Sequence, residues 1–264
     1  MIFETHAHLL AEQFDQDRNE VIQRALENGI LAVLNVSDDM KSSKKAVMLA
    51  QQHERVFGSV GVHPHNGADF RDQDVSILKE LTSDEKILAI GEIGLDYYYD
   101  FCDRTVQREV FVKQLDLAKQ LDLPVIIHNR EAHKDTIDIL SSYGKDIKGV
   151  MHCYSGSAES AKILLNLDMY ISFTGVITFK NAKRAVEALE VIPLDRLLLE
   201  TDCPYMSPEP LRGTRNEPKN LIYIARKMAE VKKISYERLL EQLWENSFRL
   251  FKKAEKYKQT LETT

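Results

Sequence analysis

Six of the eight histidines in this 264-residue chain lie within or directly after short apolar segments. They are His6, His8, His63, His65, His128 and His152. Two carboxylates, Glu92 and Asp202, occupy the same kind of position. Imidazole nitrogens and carboxylate oxygens without thiolates form a donor set that suits Zn²⁺, Mn²⁺ or Mg²⁺. The residue types therefore indicate a site for divalent metal ions.

The spacing of these donors favours two ions. His6 and His8 are two residues apart, so their rings point to the same face of an extended segment. Glu92 ends the apolar run from Ile87 to Ile90, where a carboxylate is costly to bury without a cation, and Asp202 presents the same problem. Taken singly, an H-x-H pair is a weak indication, and a histidine such as His128 can be an ordinary core residue satisfied by the backbone.

Taken together, the donors are too numerous for one catalytic ion that keeps a position open for water. The six predicted ligands are His6, His8, Glu92, His128, His152 and Asp202. Two ions about 3.5 to 4 Å apart that share a bridging carboxylate fit this number better. Glu200, on the same face as Asp202, is predicted to be an outer group that supports a ligand.

The elements that must position these residues follow a regular alternation of short apolar runs and longer amphipathic segments. The eight predicted strands are 2–5, 30–36, 56–62, 87–93, 124–128, 149–153, 169–174 and 196–201. The predicted helices are 15–28, 42–53, 72–82, 104–121, 132–143, 158–166, 181–191, 217–231 and 235–253. The pattern predicts one α/β domain over residues 1–264, a (β/α)₈ TIM barrel whose last ten or so residues fray. A doubly wound sheet is the alternative, but it needs a glycine-rich turn where His6-Ala7-His8 occurs.

In such a barrel the carboxyl ends of all strands meet at one mouth, which is where barrel enzymes build their active sites. Each predicted donor follows or ends a predicted strand. Residues more than 140 positions apart in the sequence are therefore expected to converge. By contrast, His53 and His133 fall in helical segments and are expected at the surface.

Bulk properties narrow the class of protein. The net charge of −6 argues against binding duplex nucleic acid by electrostatics alone. The first residues do not show the basic region and apolar run of a signal peptide, and no apolar stretch approaches the ~20 residues that span a membrane, so a soluble cytoplasmic protein is expected. Cys102, Cys153 and Cys203 share no C-x-x-C spacing, so neither disulfides nor a thiolate zinc site is expected. No obligate protein partner is evident, and a monomer is expected.

Several segments, in order and spacing, resemble the signature blocks of the TatD family of metal-dependent deoxyribonucleases. They are Thr5-His6-Ala7-His8, Gly61-Val62-His63-Pro64-His65, Gly91-Glu92-Ile93-Gly94-Leu95-Asp96, Ile127-His128-Asn129-Arg130, His152-Cys153-Tyr154-Ser155-Gly156, Glu200-Thr201-Asp202-Cys203-Pro204-Tyr205 and Arg212-Gly213-Thr214-Arg215-Asn216-Glu217-Pro218. The similarity runs from the first strand to about Pro218.

The resemblance implies an amidohydrolase-like TIM barrel with two divalent ions. By analogy, His6 and His8 would hold one ion with Asp202, and His128 and His152 would hold the other. Glu92 would bridge the two ions, at a position where many relatives in the wider superfamily carry a carboxylated lysine. The chain departs from the family pattern at Glu4, where an aspartate is more usual, which puts a contact behind the ligands in doubt.

Together with the metal site, the resemblance implies an expected activity, which is metal-assisted hydrolysis of phosphodiesters by a DNase-like exonuclease that acts on single-stranded or frayed DNA. Asp202 is expected to accept the proton of the attacking water, Glu92 to bridge the ions, and His63 to bind phosphate or protonate the leaving oxygen. The predicted substrate contacts are His63, His65, Arg130, Ser155, Gly156 and Arg212, with Arg215 as a further candidate. Surface ion pairs are the competing explanation for the arginines.

Three questions stay open at the level of sequence. Tyr97, Tyr98 and Tyr99 can stack on bases or merely pack over the barrel rim. A small-molecule amide or lactone hydrolase can use nearly the same ions, because the barrel and its metals specify hydrolysis and not the substrate. A metal-stabilised binding module without turnover is the non-enzymatic alternative, and it requires closed metal coordination.

Overall fold

A computed structural model describes residues 1–99 and 101–263 of the chain. Eight parallel strands alternate with helices along the sequence. The strands are β1 (Ile2–Ala7), β2 (Ile30–Asn35), β3 (Val56–Val60), β4 (Ile87–Asp96), β5 (Val125–Arg130), β6 (Gly149–Met151), β7 (Tyr170–Phe173) and β8 (Leu197–Leu199). The helices are α1 (Arg18–Glu27), α2 (Met40–Gln52), α3 (Asp72–Leu81), α4 (Arg104–Leu121), α5 (His133–Tyr143), α6 (Ala158–Asn166), α7 (Lys183–Val191), α8 (Leu221–Lys232), α9 (Tyr236–Leu250) and α10 (Lys258–Glu262).

The strands pair in sequence order from β1 to β8, and every pairing is parallel. The barrel closes just beyond β8, where the backbone N–H of Asp202 donates to the carbonyl of His6 at 3.0 Å. The N–H of His8 donates in turn to the carbonyl of Cys203 at 2.8 Å. The predicted (β/α)₈ TIM barrel is confirmed, and its closing seam joins two of the predicted metal-binding segments.

The barrel interior explains why the strands are apolar along their length. One buried cluster takes side chains from all eight strands, and residues of eight strands can meet only inside the barrel. Phe3 lies in this cluster with its ring centroid 5.5 to 6.4 Å from those of Phe57, Trp244, Phe248 and Phe251. Since the last three residues belong to α9 and the turn after it, the C-terminal segment closes the end of the barrel opposite the mouth.

Most element boundaries differ from the predicted ones by a few residues, and two strands are longer than predicted where they reach the site. β4 continues three residues past Ile93 to Asp96, and β5 continues past His128 to Arg130. At the C-terminus, where fraying was predicted, residues 258–262 form α10, and Leu261 is buried against the interior cluster. The buried leucine supplies the apolar contact that a marginal helix of this length needs. Within the described residues, no helix is both long and apolar enough to cross a bilayer.

Candidate metal centre

The six predicted ligands come together at the carboxyl ends of the strands. His6 lies in β1 and His8 directly follows it, Glu92 and His128 lie in β4 and β5, and the remaining two follow β6 and β8. All but His128 are buried, and the side chain of His128 is 18% exposed. So many polar groups are tolerated in a buried position only if they are paired or coordinate a cation.

One set of donors surrounds the Oε2 atom of Glu92. The Nε2 atoms of His6 and His8 are 3.1 Å apart and lie 3.3 and 3.5 Å from Oε2. Oδ1 of Asp202 lies 3.7 and 3.4 Å from the same two nitrogens. A tetrahedral ion with donors at about 2.0 to 2.2 Å separates neighbouring donors by about 3.3 to 3.6 Å. The spacing of the four donors therefore fits a single divalent ion.

A second set of donors faces the other oxygen of Glu92. Nδ1 of His128 lies 2.9 Å from Oε1, and Nε2 of His152 lies 3.0 Å from it. Nε2 of His63 is farther away, at 3.6 Å. The two oxygens of Glu92 thus point to two separate groups of imidazoles, which is the arrangement a bridging carboxylate requires.

In three of the four predicted histidine ligands, the ring nitrogen that points away from Glu92, here called the outer nitrogen, faces a carboxylate. Outer nitrogens of His8, His128 and His152 lie 3.2, 2.9 and 3.3 Å from carboxylate oxygens. The partners are, in the same order, Asp38, Asp96 and Glu200. The contacts of His8 and His152 fall outside hydrogen-bond angles, so those two pairs are electrostatic. A carboxylate behind each imidazole is the usual support of histidine ligands, because it fixes the tautomer and raises ligand basicity.

The charges of the site follow from these neighbours. Burial by itself would raise the pKa of Glu92, but the surrounding histidines, His152 and His6 foremost, hold that pKa well below its usual range. For Asp202, too, burial acts to raise the pKa, and the hydrogen bond with His8 leads the effects that lower it. Both carboxylates are therefore ionised at neutral pH. Buried carboxylates among closely spaced imidazoles form groups that could hold metal ions.

His63 differs from the other histidines of the site. Burial, assisted by the neighbouring His128, lowers its pKa well below the usual value, so the ring is neutral at pH 7. Its Nδ1 accepts a hydrogen bond from the backbone N–H of His65 at 3.2 Å. A neutral imidazole carries one proton, which must then be on Nε2. His63 consequently offers the site an N–H donor instead of a lone pair.

The predicted substrate contacts other than the histidines have different surroundings. Arg130 and Arg212 each lie over aromatic rings, with guanidinium carbons 3.9 Å from the ring centroid of Tyr98 and 4.2 Å from that of Phe179. Arg215 instead bonds Asp17 and Glu217, so the surface ion-pair explanation holds for this arginine. The other predicted contacts, Ser155 and Gly156, directly precede Ser157, the residue that caps α6.

Some residues of the site were not predicted to take part. Asp96 is fully buried, and its Oδ2 lies 2.9 Å from His128 Nε2 and 3.0 Å from His65 Nε2. Its Oδ1 accepts from the backbone N–H groups of Tyr98 and Tyr99. The sequence did contain a signal for Asp96, since it follows Leu95 at the end of an apolar run. It was missed because the predicted strand stopped at Ile93, three residues before Asp96.

Glu4 and Asp38 also contact the site, and of the two only Glu4 was singled out in the sequence, as a departure from the family pattern. Oε1 of Glu4 accepts from the backbone N–H of His6 at 3.0 Å, and Oε2 accepts from the Thr201 hydroxyl at 2.6 Å. Glu4 thereby ties the two metal-binding segments together across the barrel seam. Asp38 lies in the loop after β2. The end of β2 carries no histidine, so the sequence did not indicate that this loop reaches the site.

Comparisons with known proteins place the chain among metal-dependent hydrolases. The family model described as TatD related DNase matches residues 3–252. An uncharacterized metal-dependent hydrolase, YabD of Bacillus subtilis, is 43% identical over 253 residues, which cover 96% of this chain and 99% of that protein. A 3′-5′ ssDNA/RNA exonuclease, TatD of Cronobacter sakazakii, is 34% identical over 235 residues, covering 87% and 89%. The crystal structure of YJJV, a TatD homolog from Escherichia coli K12, superposes with a TM-score of 0.89 at 27% identity, covering 95% and 98%.

Proposed function

The chain belongs to the TatD-related DNase family of metal-dependent hydrolases, and we propose that it hydrolyses phosphodiester bonds of single-stranded DNA, starting from an end. The observation that carries this proposal is the position of Glu92, whose two oxygens face two separate groups of imidazoles. Two divalent ions held in this way suit in-line displacement at a phosphorus atom. The name of the Cronobacter relative, an exonuclease on single-stranded DNA and RNA, supports the choice of substrate.

The donors divide between the two ions as the geometry suggests. His6, His8 and Asp202 would hold one ion, His128 and His152 would hold the other, and Glu92 would bridge them. When bound, the ions would supply Lewis-acid activation of water and offset negative charge on the phosphoryl oxygens. Mg²⁺, Mn²⁺ and Zn²⁺ all suit donors of this type.

The protein's own groups supply proton transfer and orientation. Asp202 is ionised and lies at the edge of the first donor set, where its carboxylate accepts the proton of the attacking water. His63 is neutral and directs an N–H toward the site, so it binds a phosphoryl oxygen and does not act as a cationic acid. Asp96 behind His128 and Glu200 behind His152 favour a proton on the outer nitrogen of each ring, which leaves the inner nitrogen free to bind an ion.

The proposal is tested by incubating 5′-labelled single-stranded and duplex oligonucleotides with the protein and Mg²⁺, Mn²⁺ or Zn²⁺. We expect a ladder of products on the single strand that disappears with EDTA and with Glu92→Ala. Glu230→Ala is the matched control, because this exposed glutamate on α8 pairs with Lys227 on the same helix and is not one of the residues of the metal centre. Turnover of amides or lactones in a parallel panel, without cleavage of any oligonucleotide, would contradict the proposal.

A further inference from the structure

Exposed apolar side chains gather at the mouth of the barrel. The described residues include nine exposed large hydrophobic side chains, and five of them lie in two loops. Tyr98, Tyr99 and Phe101, in the loop after β4, are 59%, 46% and 66% exposed and are here called the β4 platform. Tyr205 and Met206, after β8, are 51% and 39% exposed and are called the β8 platform. Such grouping of exposed apolar surface marks a binding surface.

The two platforms contact different parts of the metal centre. The rings of Tyr99 and Phe101 lie 5.3 and 5.0 Å from that of His65, which in turn faces His128 at 6.2 Å. The ring of Tyr205 lies 6.2 Å from that of His8. His128 belongs to one donor set and His8 to the other. A ligand that reaches the metal centre therefore has aromatic surface on two sides.

A positive charge supports the β4 platform. The guanidinium carbon of Arg130 lies 3.9 and 4.6 Å from the ring centroids of Tyr98 and Tyr99. In the part of the chain that the structure describes, Arg130 forms no ion pair with a carboxylate. Its charge is thus available to a phosphate beside the rings. Tyr97 has a different role, because its hydroxyl donates to Asp135 and its side chain is only partly exposed.

From this arrangement we propose that the two platforms stack unpaired bases on either side of the phosphodiester held at the metal centre. The proposal rests on the proposed function and extends it, because it assigns the preference for single strands to named side chains. Bases in a duplex are already stacked and paired, whereas unpaired bases can stack on side-chain rings. Aromatic stacking with a neighbouring arginine is tolerant of sequence, so little base specificity is expected.

The test measures binding without turnover, so that ring contacts are separated from chemistry. A fluorescent single-stranded hexanucleotide with phosphorothioate linkages is titrated with Mn²⁺-loaded protein, and anisotropy gives Kd. The same measurement uses a strand in which tetrahydrofuran spacers replace the bases. The variants are Tyr98→Ala, Tyr98→Trp and Tyr205→Ala. Met48→Ala is the control, because Met48 is 58% exposed on α2, outside both platforms.

Removal of a stacking ring costs about 1 to 3 kcal/mol, so Tyr98→Ala and Tyr205→Ala should each weaken binding of the intact strand by about fivefold or more. The same variants should bind the base-free strand as the wild type does. Tyr98→Trp should restore binding, and Met48→Ala should not change it. A general folding defect would weaken binding of both strands and would not be rescued by tryptophan.

Two outcomes separate this inference from the proposed function. If the wild type cleaves unmodified oligonucleotides but the ring variants bind both strands with unchanged Kd, the platforms are refuted and the nuclease function stands. If the wild type cleaves no oligonucleotide with any of the three metals, the proposed function fails, and the base-stacking role fails with it.

Discussion

Asp96 offers a sharp test of how the metal centre is oriented. Its Oδ2 faces the outer nitrogens of His128 and His65, and its Oδ1 accepts two backbone N–H groups. In Asp96→Asn the side-chain oxygen can still accept from the backbone, so the loop after β4 should keep its conformation. The amide nitrogen, however, donates toward Nε2 of His128 and forces the proton of that ring onto Nδ1. Nδ1 is the atom that faces Glu92, so the lone pair meant for the ion is lost.

The size of the effect follows from the loss of one oriented ligand. Replacement of a group that supports a metal ligand typically lowers metal affinity or activity by about 10- to 100-fold. We expect Asp96→Asn to raise the Kd for the more weakly bound Mn²⁺ ion by this factor, with little change in thermal stability of the metal-free protein. Asp135→Asn is the matched control, because Asp135 bonds Tyr97 and Arg108 near the same loop without touching a histidine.

Isothermal titration of the metal-free proteins with Mn²⁺ measures this difference, and a thermal melt by circular dichroism monitors folding. If Asp96 keeps the proton of His128 on Nε2, Asp96→Asn should lose affinity for Mn²⁺ and Asp135→Asn should not. If Asp96→Asn binds two Mn²⁺ ions as tightly as the wild type does, the carboxylate does not orient His128 and the reasoning is wrong.

Three further perturbations have definite expected results. Removal of bound metal with EDTA should lower the melting temperature by about 5 to 10 °C. The reason is that a metal ion at a free concentration of 100 times its Kd stabilises the folded state by about 2.7 kcal/mol. An unchanged Tm would argue against ions in the folded core. Phe3→Ala should cost about 3 to 5 kcal/mol of unfolding free energy in urea, since this buried ring packs among four aromatic rings inside the barrel. Arg215→Ala should cost about 1 kcal/mol at pH 7. The hydrogen bond from Arg215 leads the effects that lower the pKa of Asp17 to about 2. Because protonation of Asp17 removes the ion pair, the difference in unfolding free energy between wild type and Arg215→Ala should shrink as pH falls from 4 toward 2. A difference that grows on acidification would contradict the pairing.

The barrel and the positions of its donors could be predicted from the sequence because both depend on local pattern. Parallel strands buried on both faces are continuously apolar, so a histidine or carboxylate at the end of such a run is conspicuous. Glu92 and His128 are identified in this way. The rule that strand ends share one mouth then brings distant residues together without any knowledge of their contacts.

Contacts between side chains of different elements could not be predicted in the same way. The two arginines of the final loop, Arg212 and Arg215, look equivalent in sequence, but one stacks on Phe179 and the other pairs with Asp17, 198 residues away. The role of Asp96 depended on three additional residues of strand that β4 gains by pairing with β5. Helix α10 is too short to form alone and depends on the burial of Leu261.

The two-ion arrangement around Glu92 is tested most directly by anomalous X-ray diffraction from crystals loaded with Mn²⁺, with Glu92→Ala crystals as the comparison. We predict two anomalous peaks in the wild type, about 3.5 to 4 Å apart, one on each side of the Glu92 carboxylate. In Glu92→Ala, we predict that at least one peak is lost. A single peak in the wild type, or two peaks that do not share Glu92 and persist in Glu92→Ala, would contradict the bridged two-metal site.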